Sequence, residues 1–230
     1  GLVGESGCGK STLTRAILGL EQVQAGTITL NGALVWSGRQ LNRAVRRNIQ
    51  VVFQDPYGSF NPRHTVARLI TEPFHLLDQL PDAQERAQAV AEALQAVGLS
   101  PKDANKYSHE FSGGQRQRLA IARALILRPD LIVFDEAVSA LDVSVRAQIL
   151  DLIADLSSRF ALSYLFISHD LSVVRCITDR VMVMRAGIIV EDGPTAQVLR
   201  QPRHAYTQSL LASAPKLPAL GIKAASATET

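Results

Sequence analysis

Gly4-Glu5-Ser6-Gly7-Cys8-Gly9-Lys10-Ser11 is the stretch that decides the fold. It matches the phosphate-binding pattern G-x-x-x-x-G-K-[ST] in full. The apolar pair Leu2-Val3 before it predicts the end of a strand, and residues 12–20 after it carry apolar side chains at helical spacing. In that context, backbone N–H groups and the helix N-terminus converge on an anion. The sequence therefore predicts a site for a nucleoside triphosphate; a chance glycine-rich turn is the alternative, and the matching context disfavours it.

The residue types in this loop suggest individual roles. Lys10 is expected to contact the β- and γ-phosphates, and the Ser11 hydroxyl to bind Mg²⁺. The other residues expected to contact the nucleotide are Gly4, Glu5, Ser6, Gly7, Cys8, Gly9 and Thr12.

Length and composition limit the class of protein. The 230 residues are 47% hydrophobic and 20% charged, which suits one large globular domain or a core with a small subdomain. No apolar run reaches the length of a membrane span, and no signal peptide is visible. The charge of +3 comes without a Lys/Arg cluster joined by aromatic residues, so nucleic-acid binding is unsupported.

The two cysteines, Cys8 and Cys176, have neither metal-ligand spacing nor a disulfide framework, so a reducing compartment is expected. The chain starts with Gly1 rather than Met, immediately before the loop. We therefore expect an N-terminal truncation.

Alternating strand and helix patterns predict an α/β fold, with a parallel or mixed sheet and helices on both faces. Asn31-Gly32 predicts a hairpin turn. The proline-punctuated residues 57–112, with an alanine-rich helix predicted at 82–97, indicate a helical subdomain inserted into a core of residues 1–56 and 113–200. Residues 201–230 are predicted to form a C-terminal extension whose tail beyond Pro215 is disordered.

A second candidate element is the apolar run of residues 131–134, which ends in Asp135-Glu136. Such a run predicts a buried parallel strand that delivers carboxylates to the nucleotide site. Asp135 is expected to bind Mg²⁺ and Glu136 to accept a proton from the attacking water. A solvated strand end is the alternative.

Ser112-Gly113-Gly114-Gln115 begins a predicted helix and could form another nest of backbone N–H groups for an anion. A chain with one phosphate loop does not need a second nest for its own nucleotide. It would need one if the second nest contacted the nucleotide held by another copy of the chain. Taken alone, this segment is more often a helix cap.

The order of these motifs, together with Gln54 after a strand, Ser139-Ala140-Leu141-Asp142 and His169, resembles the ATP-binding subunits of ABC transporters from the start of the chain to about residue 212. The resemblance implies a P-loop NTPase core that hydrolyses ATP with Mg²⁺. It implies that Gln54 senses Mg²⁺ and a transmembrane partner and that His169 contacts the γ-phosphate. Lys10, Glu136 and His169 would then be the catalytic residues, and Ser11, Gln54 and Asp135 the metal ligands.

The same resemblance implies a dimer. Ser112, Gly113, Gly114 and Gln115 would form the signature segment that contacts ATP across the dimer, at the end of the helical subdomain. Asp142 would belong to a loop that communicates between the two nucleotide sites. The second ATP-binding subunit could be identical or different.

Two longer stretches are similar to the oligopeptide, dipeptide and nickel uptake subfamily: residues 54–63 (QDPYGSFNPR) and 201–211 (QPRHAYTQSLL). The alternative is a generic coupling loop and a surface helix. The resemblance implies an importer of peptides or similar small solutes, with permease subunits that dock near residues 54–63. The chain would then be peripheral, on the cytoplasmic face of the inner membrane, and would reach the membrane only through the permease.

Two residues depart from the family pattern: Ala137 stands where proline is usual, and Phe111 where leucine is commoner. The family's adenine-stacking aromatic residue and at least one core strand, which would lie upstream, are not in this sequence. The alternatives are a soluble ABC ATPase without a membrane partner, or a truncated half that binds nucleotide poorly.

Overall fold

The computed structural model describes residues 1–37, 40–55 and 58–213. Two sequence-based predictions fall partly or wholly outside these ranges. The Pro56-Tyr57 part of the 54–63 loop lies outside the described residues, and so does the tail beyond Pro215 that the sequence predicts to be disordered.

The described residues form both strands and helices. The strands are β1 (Leu2–Val3), β2 (Thr29–Leu30), β3 (Ala33–Leu34), β4 (Trp36–Ser37), β5 (Gln40–Leu41), β6 (Ile49–Phe53), β7 (Leu131–Asp135), β8 (Ser163–Ile167), β9 (Arg180–Arg185) and β10 (Ile188–Pro194). The α-helices are α1 (Lys10–Ile17), α2 (Arg43–Arg46), α3 (Val66–Ile70), α4 (Ala83–Ala96), α5 (Gly113–Leu125), α6 (Val143–Phe160), α7 (Leu171–Ile177), α8 (Thr195–Arg200) and α9 (Ala205–Ser213). Short 3₁₀ helices lie at Glu72–Leu76, Pro101–Asn105 and Ser108–Glu110.

The chain forms two compact units. The first joins residues 1–10 to the described residues from 166 onward, and the second is Ser11–Leu165. All described residues between 57 and 112 belong to the second unit. The division predicted from the sequence, with a separate helical subdomain at 57–112, stays a prediction.

The first unit is built on β1. This strand pairs in parallel with β8 through Leu2 and Ile167 and in parallel with β9 through Leu2–Met182 and Val3–Val183. The hairpin of β9 and β10 is antiparallel. β1 is therefore an interior strand of the sheet, and Leu2 and Val3 are completely buried. The sheet has parallel and antiparallel pairs, so it is mixed, as the sequence predicts.

The second unit contains the parallel pair β6–β7, in register from Ile49–Leu131 to Phe53–Asp135. The apolar run predicted as a buried strand is confirmed: Ile132, Val133 and Phe134 are at most 1% exposed. The predicted hairpin at Asn31-Gly32 is also confirmed, since both residues have positive φ and β2 pairs antiparallel with β3.

Helix α4 begins after a capping aspartate and ends before a glycine, which are residue types typical of helix ends. Asp82 caps its N-terminus and forms a reciprocal capping box with Glu85, and Gly98 follows the last turn with a φ of +73°. Its buried face includes Val90, Ala93 and Leu94. The helix predicted at 82–97 is therefore present, and it contacts α5 and α3 in the second unit.

Among the residues described, no helix combines the length and the apolar character needed to cross a bilayer.

The packing of α4 gives a stability prediction. Leu94 is fully buried, whereas Leu80, just before the helix, is 64% exposed. Leu94→Ala should lower the free energy of unfolding by about 2–5 kcal/mol, because it removes buried methyl groups and leaves a cavity. Leu80→Ala should change it by less than about 0.5 kcal/mol. Urea unfolding followed by circular dichroism measures both, and equal losses would contradict the packing described for α4.

Candidate nucleotide-binding site

Lys10 is the first residue of α1, and its side chain reaches back into the loop between β1 and α1. Its side chain is buried, and its Nζ donates hydrogen bonds to the carbonyl oxygens of Gly4 (2.7 Å) and Glu5 (2.9 Å). A buried ammonium group must be hydrogen-bonded, because desolvation of an unpaired charge is costly. The loop therefore curls around its own lysine and holds the cation beneath its exposed residues.

The loop packs closely on the turn between β9 and β10. A Cβ atom at Gly4 would overlap the carbonyl oxygen of Met184, so only glycine fits there. Gly187 at the turn donates its N–H to the carbonyl of Cys8 at 2.7 Å. This packing explains why Cys8 is buried while Glu5, on the outer side of the loop, is exposed.

Part of the loop expected to contact the nucleotide is accessible, whereas Gly4, Cys8 and Lys10 are buried. Ser6 and Gly7 at the tip of the loop are exposed, and so are Ser11 and Thr12 in the first turn of α1. Gly9 has a φ of +110°, a conformation that favours glycine and turns the backbone into the helix. Backbone N–H groups of exposed residues at a helix start, beside a buried cation, suit an anionic ligand.

His169 lies beside the strand that leads to this loop. It follows β8, the parallel neighbour of β1, and the N–H of Ser168 donates to the Leu2 carbonyl at 3.2 Å. The loop and His169 therefore lie at the carboxyl ends of neighbouring parallel strands in the first unit. His169 is exposed, and Asp170 after it caps α7 by accepting the N–H groups of Ser172 and Val173.

The second unit places the other predicted residues at a similar strand edge. Phe53 and Asp135 are register partners at the ends of β6 and β7, so Gln54 and Glu136 leave neighbouring parallel strands. Gln54 is exposed, and both carboxylate residues are half-buried. The register therefore brings Gln54, Asp135 and Glu136 to one edge of the second unit.

Glu136 has a backbone conformation that the sequence did not predict. Its φ is +51°, in the left-handed region that non-glycine residues rarely adopt. Ser139 stabilises this turn by donating both its N–H (3.0 Å) and its hydroxyl (2.8 Å) to the Glu136 carbonyl. The loop that resembles a communication loop between sites thus also fixes the conformation of the predicted base.

The signature segment forms the helix cap that the sequence offered as one alternative. Ser112 and Gln115 exchange hydrogen bonds in a capping box at the start of α5. A Cβ at Gly114 would lie 2.6 Å from a methyl carbon of Val145, so α5 and α6 pack closely there. Ser112 and Gly113 are exposed, and their contact with a second subunit stays a prediction.

Asp142 lies at the N-cap position of α6 and is exposed. Its carbonyl accepts the N–H of Arg146 at 2.8 Å, and its side chain makes no capping hydrogen bond. Its predicted role in communication between sites is not tested by these contacts.

The predicted metal ligands suit Mg²⁺ in their chemistry. In the described ranges, no group of three or more His, Cys, Asp or Glu side chains is placed to hold a metal ion. Mg²⁺ in nucleotide sites takes few carboxylates and completes its shell with phosphate oxygens and water. Ser11, Gln54 and Asp135 would offer Mg²⁺ three oxygen ligands: a hydroxyl, an amide oxygen and one carboxylate.

Sequence reasoning missed Tyr206 of α9. Its hydroxyl oxygen accepts the N–H of Glu5 at 3.1 Å, and its side chain is buried. Tyr206 lies within residues 201–211, for which the sequence predicted a subfamily resemblance or a surface helix and no contact with the phosphate loop. The tyrosine itself could have indicated such a contact, because a buried tyrosine hydroxyl usually has a hydrogen-bond partner.

Comparison with known proteins gives relatives that match nearly all of the chain. It is 51% identical over 217 residues to the oligopeptide transport ATP-binding protein AppF of Bacillus subtilis, covering 94% of this chain and 66% of AppF. It is 50% identical to the dipeptide transport ATP-binding protein DppF of Escherichia coli, covering 94% and 65%. The glutathione import ATP-binding protein GsiA of E. coli is 53% identical, covering 93% and 34%. The chain thus spans about two thirds of AppF and DppF and about one third of GsiA.

A solved structure shows the same fold. CbiO1 from Clostridium perfringens, part of the ABC transporter complex cbiONQ, superposes with a TM-score of 0.77 at 26% sequence identity. The match covers 87% of this chain and 78% of CbiO1, and it confirms the predicted P-loop NTPase α/β class. The sequence profile of the ABC transporter family matches residues 1–139, more than half of the chain. The chain therefore belongs to the ABC transporter family.

Proposed function

We propose that this chain is the ATP-binding and ATP-hydrolysing part of a membrane importer for peptides or similar small solutes. The observation that carries the proposal is the complete phosphate loop with its buried lysine, in a chain of this family. Relatives named for oligopeptide, dipeptide and glutathione transport, at 50–53% identity, support the class of solute.

In this proposal the loop from Gly4 to Ser11 holds the phosphate groups of ATP. Lys10 contacts the β- and γ-phosphates, and the backbone N–H groups of the exposed residues Ser6, Gly7, Ser11 and Thr12 supply further donors. Ser11, Asp135 and Gln54 hold Mg²⁺. When bound, the metal ion neutralises negative charge on the β- and γ-phosphate oxygens.

Hydrolysis needs a proton acceptor for the attacking water. Glu136 has that role in the proposal, and His169 contacts the γ-phosphate. Support comes from the left-handed turn at Glu136, because strained backbone conformations cluster at functional sites. Two hydrogen bonds from Ser139 fix that turn, and strain of this kind persists only where the surrounding structure enforces it.

The proposed partners are a second ATP-binding subunit and the permease subunits of the importer. The exposed start of α5 at Ser112 and Gly113 is available to ATP held by the other subunit. Asp142 belongs to the loop that links the two sites, and residues around Gln54 contact the permease. The chain then acts at the cytoplasmic face of the inner membrane and reaches that membrane through the permease.

Glu136→Gln is the direct test of hydrolysis. The amide keeps the shape of the side chain but cannot accept a proton, so turnover should fall by at least ~10²-fold while ATP binding is retained. Phosphate release by the full-length protein, reconstituted with its permease, measures turnover, and fluorescent ATP titration measures binding. Normal turnover in this variant would contradict the role of Glu136.

Lys10→Ala tests nucleotide binding itself. Loss of the buried cation removes its charge from the phosphate site, so the Kd for ATP should rise by ~10-fold or more. Lys102→Ala is the matched control, since Lys102 is an exposed lysine in the 3₁₀ helix Pro101–Asn105. If Lys10→Ala bound ATP as tightly as Lys102→Ala, the phosphate-loop assignment would be wrong.

Ser11→Ala tests the metal. Without the hydroxyl oxygen, the Mg²⁺ concentration for half-maximal ATP turnover should rise several-fold. Chelation of divalent cations should abolish turnover in the parent protein. Turnover that is unchanged in the presence of excess chelator would exclude Mg²⁺ from the reaction.

A further inference from the structure

The backbone of Glu5 is held on both sides. Its N–H donates to the Tyr206 hydroxyl at 3.1 Å. Its carbonyl accepts Lys10 Nζ at 2.9 Å and the Cys8 N–H at 3.2 Å. One residue of the phosphate loop therefore connects the buried lysine to α9, which lies 201 positions along the chain.

Tyr206 is itself fixed in place. Its side chain is 7% exposed, and the guanidinium of Arg185, the last residue of β9, lies 5.1 Å from the centre of its ring. The Tyr206 N–H donates to Nδ1 of His204 at 3.1 Å. Because both the ring and the backbone are held, the hydroxyl is presented to Glu5 at a defined position.

A carboxylate of the sheet anchors the start of α9. Glu191 of β10 accepts the N–H groups of Arg203 (2.8 Å) and His204 (3.1 Å). Partial burial raises the pKa of Glu191, but these hydrogen bonds, together with the side chain of Thr207 and the charge of His204, keep the pKa below its usual value. The carboxylate is thus charged near neutral pH. Through it β10 holds the start of α9, and α9 in turn contacts the loop through Tyr206.

We propose that Tyr206 is a positioning residue of the phosphate loop, through which α9 sets the affinity of the loop for nucleotide phosphates. The inference rests on the proposed function, since it concerns the same loop. The hydroxyl of Tyr206 holds Glu5, and Glu5 in turn supplies one of the two carbonyls that hold Lys10.

The physical reason is preorganisation. Glu5, Ser6 and Gly7 are exposed on the outer side of the loop, where a ligand must order any backbone that is free to move. A bond that fixes Glu5 beforehand lowers the entropic cost of binding. One such hydrogen bond corresponds to about a 2- to 10-fold change in Kd.

Tyr206→Phe is the test, because it removes the hydroxyl but keeps the ring under Arg185. In the full-length protein the Kd and KM for ATP should rise about 2- to 10-fold. The kcat at saturating ATP and the melting temperature without nucleotide should stay close to those of the parent. Tyr107→Phe, at a tyrosine that is 40% exposed, is the matched control and should leave all four quantities unchanged.

Two outcomes would overturn the proposal. An unchanged Kd would show that the hydroxyl does not order the loop, and a lower Kd would show that it competes with phosphate for the Glu5 N–H. Lys10→Ala separates this proposal from the proposed function. If Lys10→Ala loses ATP while Tyr206→Phe binds like the parent, only the role of Tyr206 fails; if Lys10→Ala binds normally, the phosphate site itself is refuted.

A double-mutant cycle tests the connection to the sheet. Glu191→Ala should weaken ATP binding and also lower the melting temperature, since it releases the start of α9. Adding Tyr206→Phe to Glu191→Ala should weaken binding by less than Tyr206→Phe does alone, because both changes act on the same contact. Fully additive effects on the Kd would contradict a path from Glu191 through Tyr206.

Discussion

The buried ammonium of Lys10 is the constraint on which the site depends. Removed from water, it needs acceptors, and the carbonyls of Gly4 and Glu5 supply them. Those carbonyls can turn inward only if the loop is curled, and the curl brings Gly4 against the carbonyl of Met184, where only glycine fits. Lysine, glycine and the neighbouring hairpin turn are therefore requirements of one packing arrangement, which leaves Ser6 and Gly7 exposed at the tip of the loop.

Periodic patterns and turn chemistry predicted much of this fold, because each is set by neighbouring residues. Helix α4 follows from its apolar spacing and its Asp82 cap, and the hairpin from Asn31-Gly32. Helix α2 and the β4–β5 pair are too short to show a period, have no recognisable motif beside them, and were not predicted. The helices predicted at residues 12–20 and 82–97 differ at their ends by one to three residues from α1 and α4, since the terminal turns depend on packing.

In the candidate site, too, local features were predicted from the sequence and long-range contacts were not. Lys10, Ser11 and Asp135-Glu136 are recognisable because their chemistry is local to one motif. The left-handed turn at Glu136 depends on Ser139, and the contact of Glu5 with Tyr206 spans most of the chain, so neither leaves a local pattern. Contacts of this second kind decide how well a loop is preorganised, which motif matching does not address.

The two glycines of the signature segment are not equivalent, and the difference bears on the proposed dimer. Gly114 is required inside the subunit, because any side chain would collide with Val145 of α6. Its presence therefore says nothing about a ligand. Apart from its chain neighbours and the nearby backbone of its own helix, no atom of the described residues lies within 4 Å of a Cβ placed on Gly113, and its φ is outside the left-handed region, so a side chain would be accepted there. Under the proposed function, the reason for a glycine at this position would be close approach of a ligand from outside the subunit. The phosphate tail of ATP held by a second subunit is the ligand that the proposed function supplies.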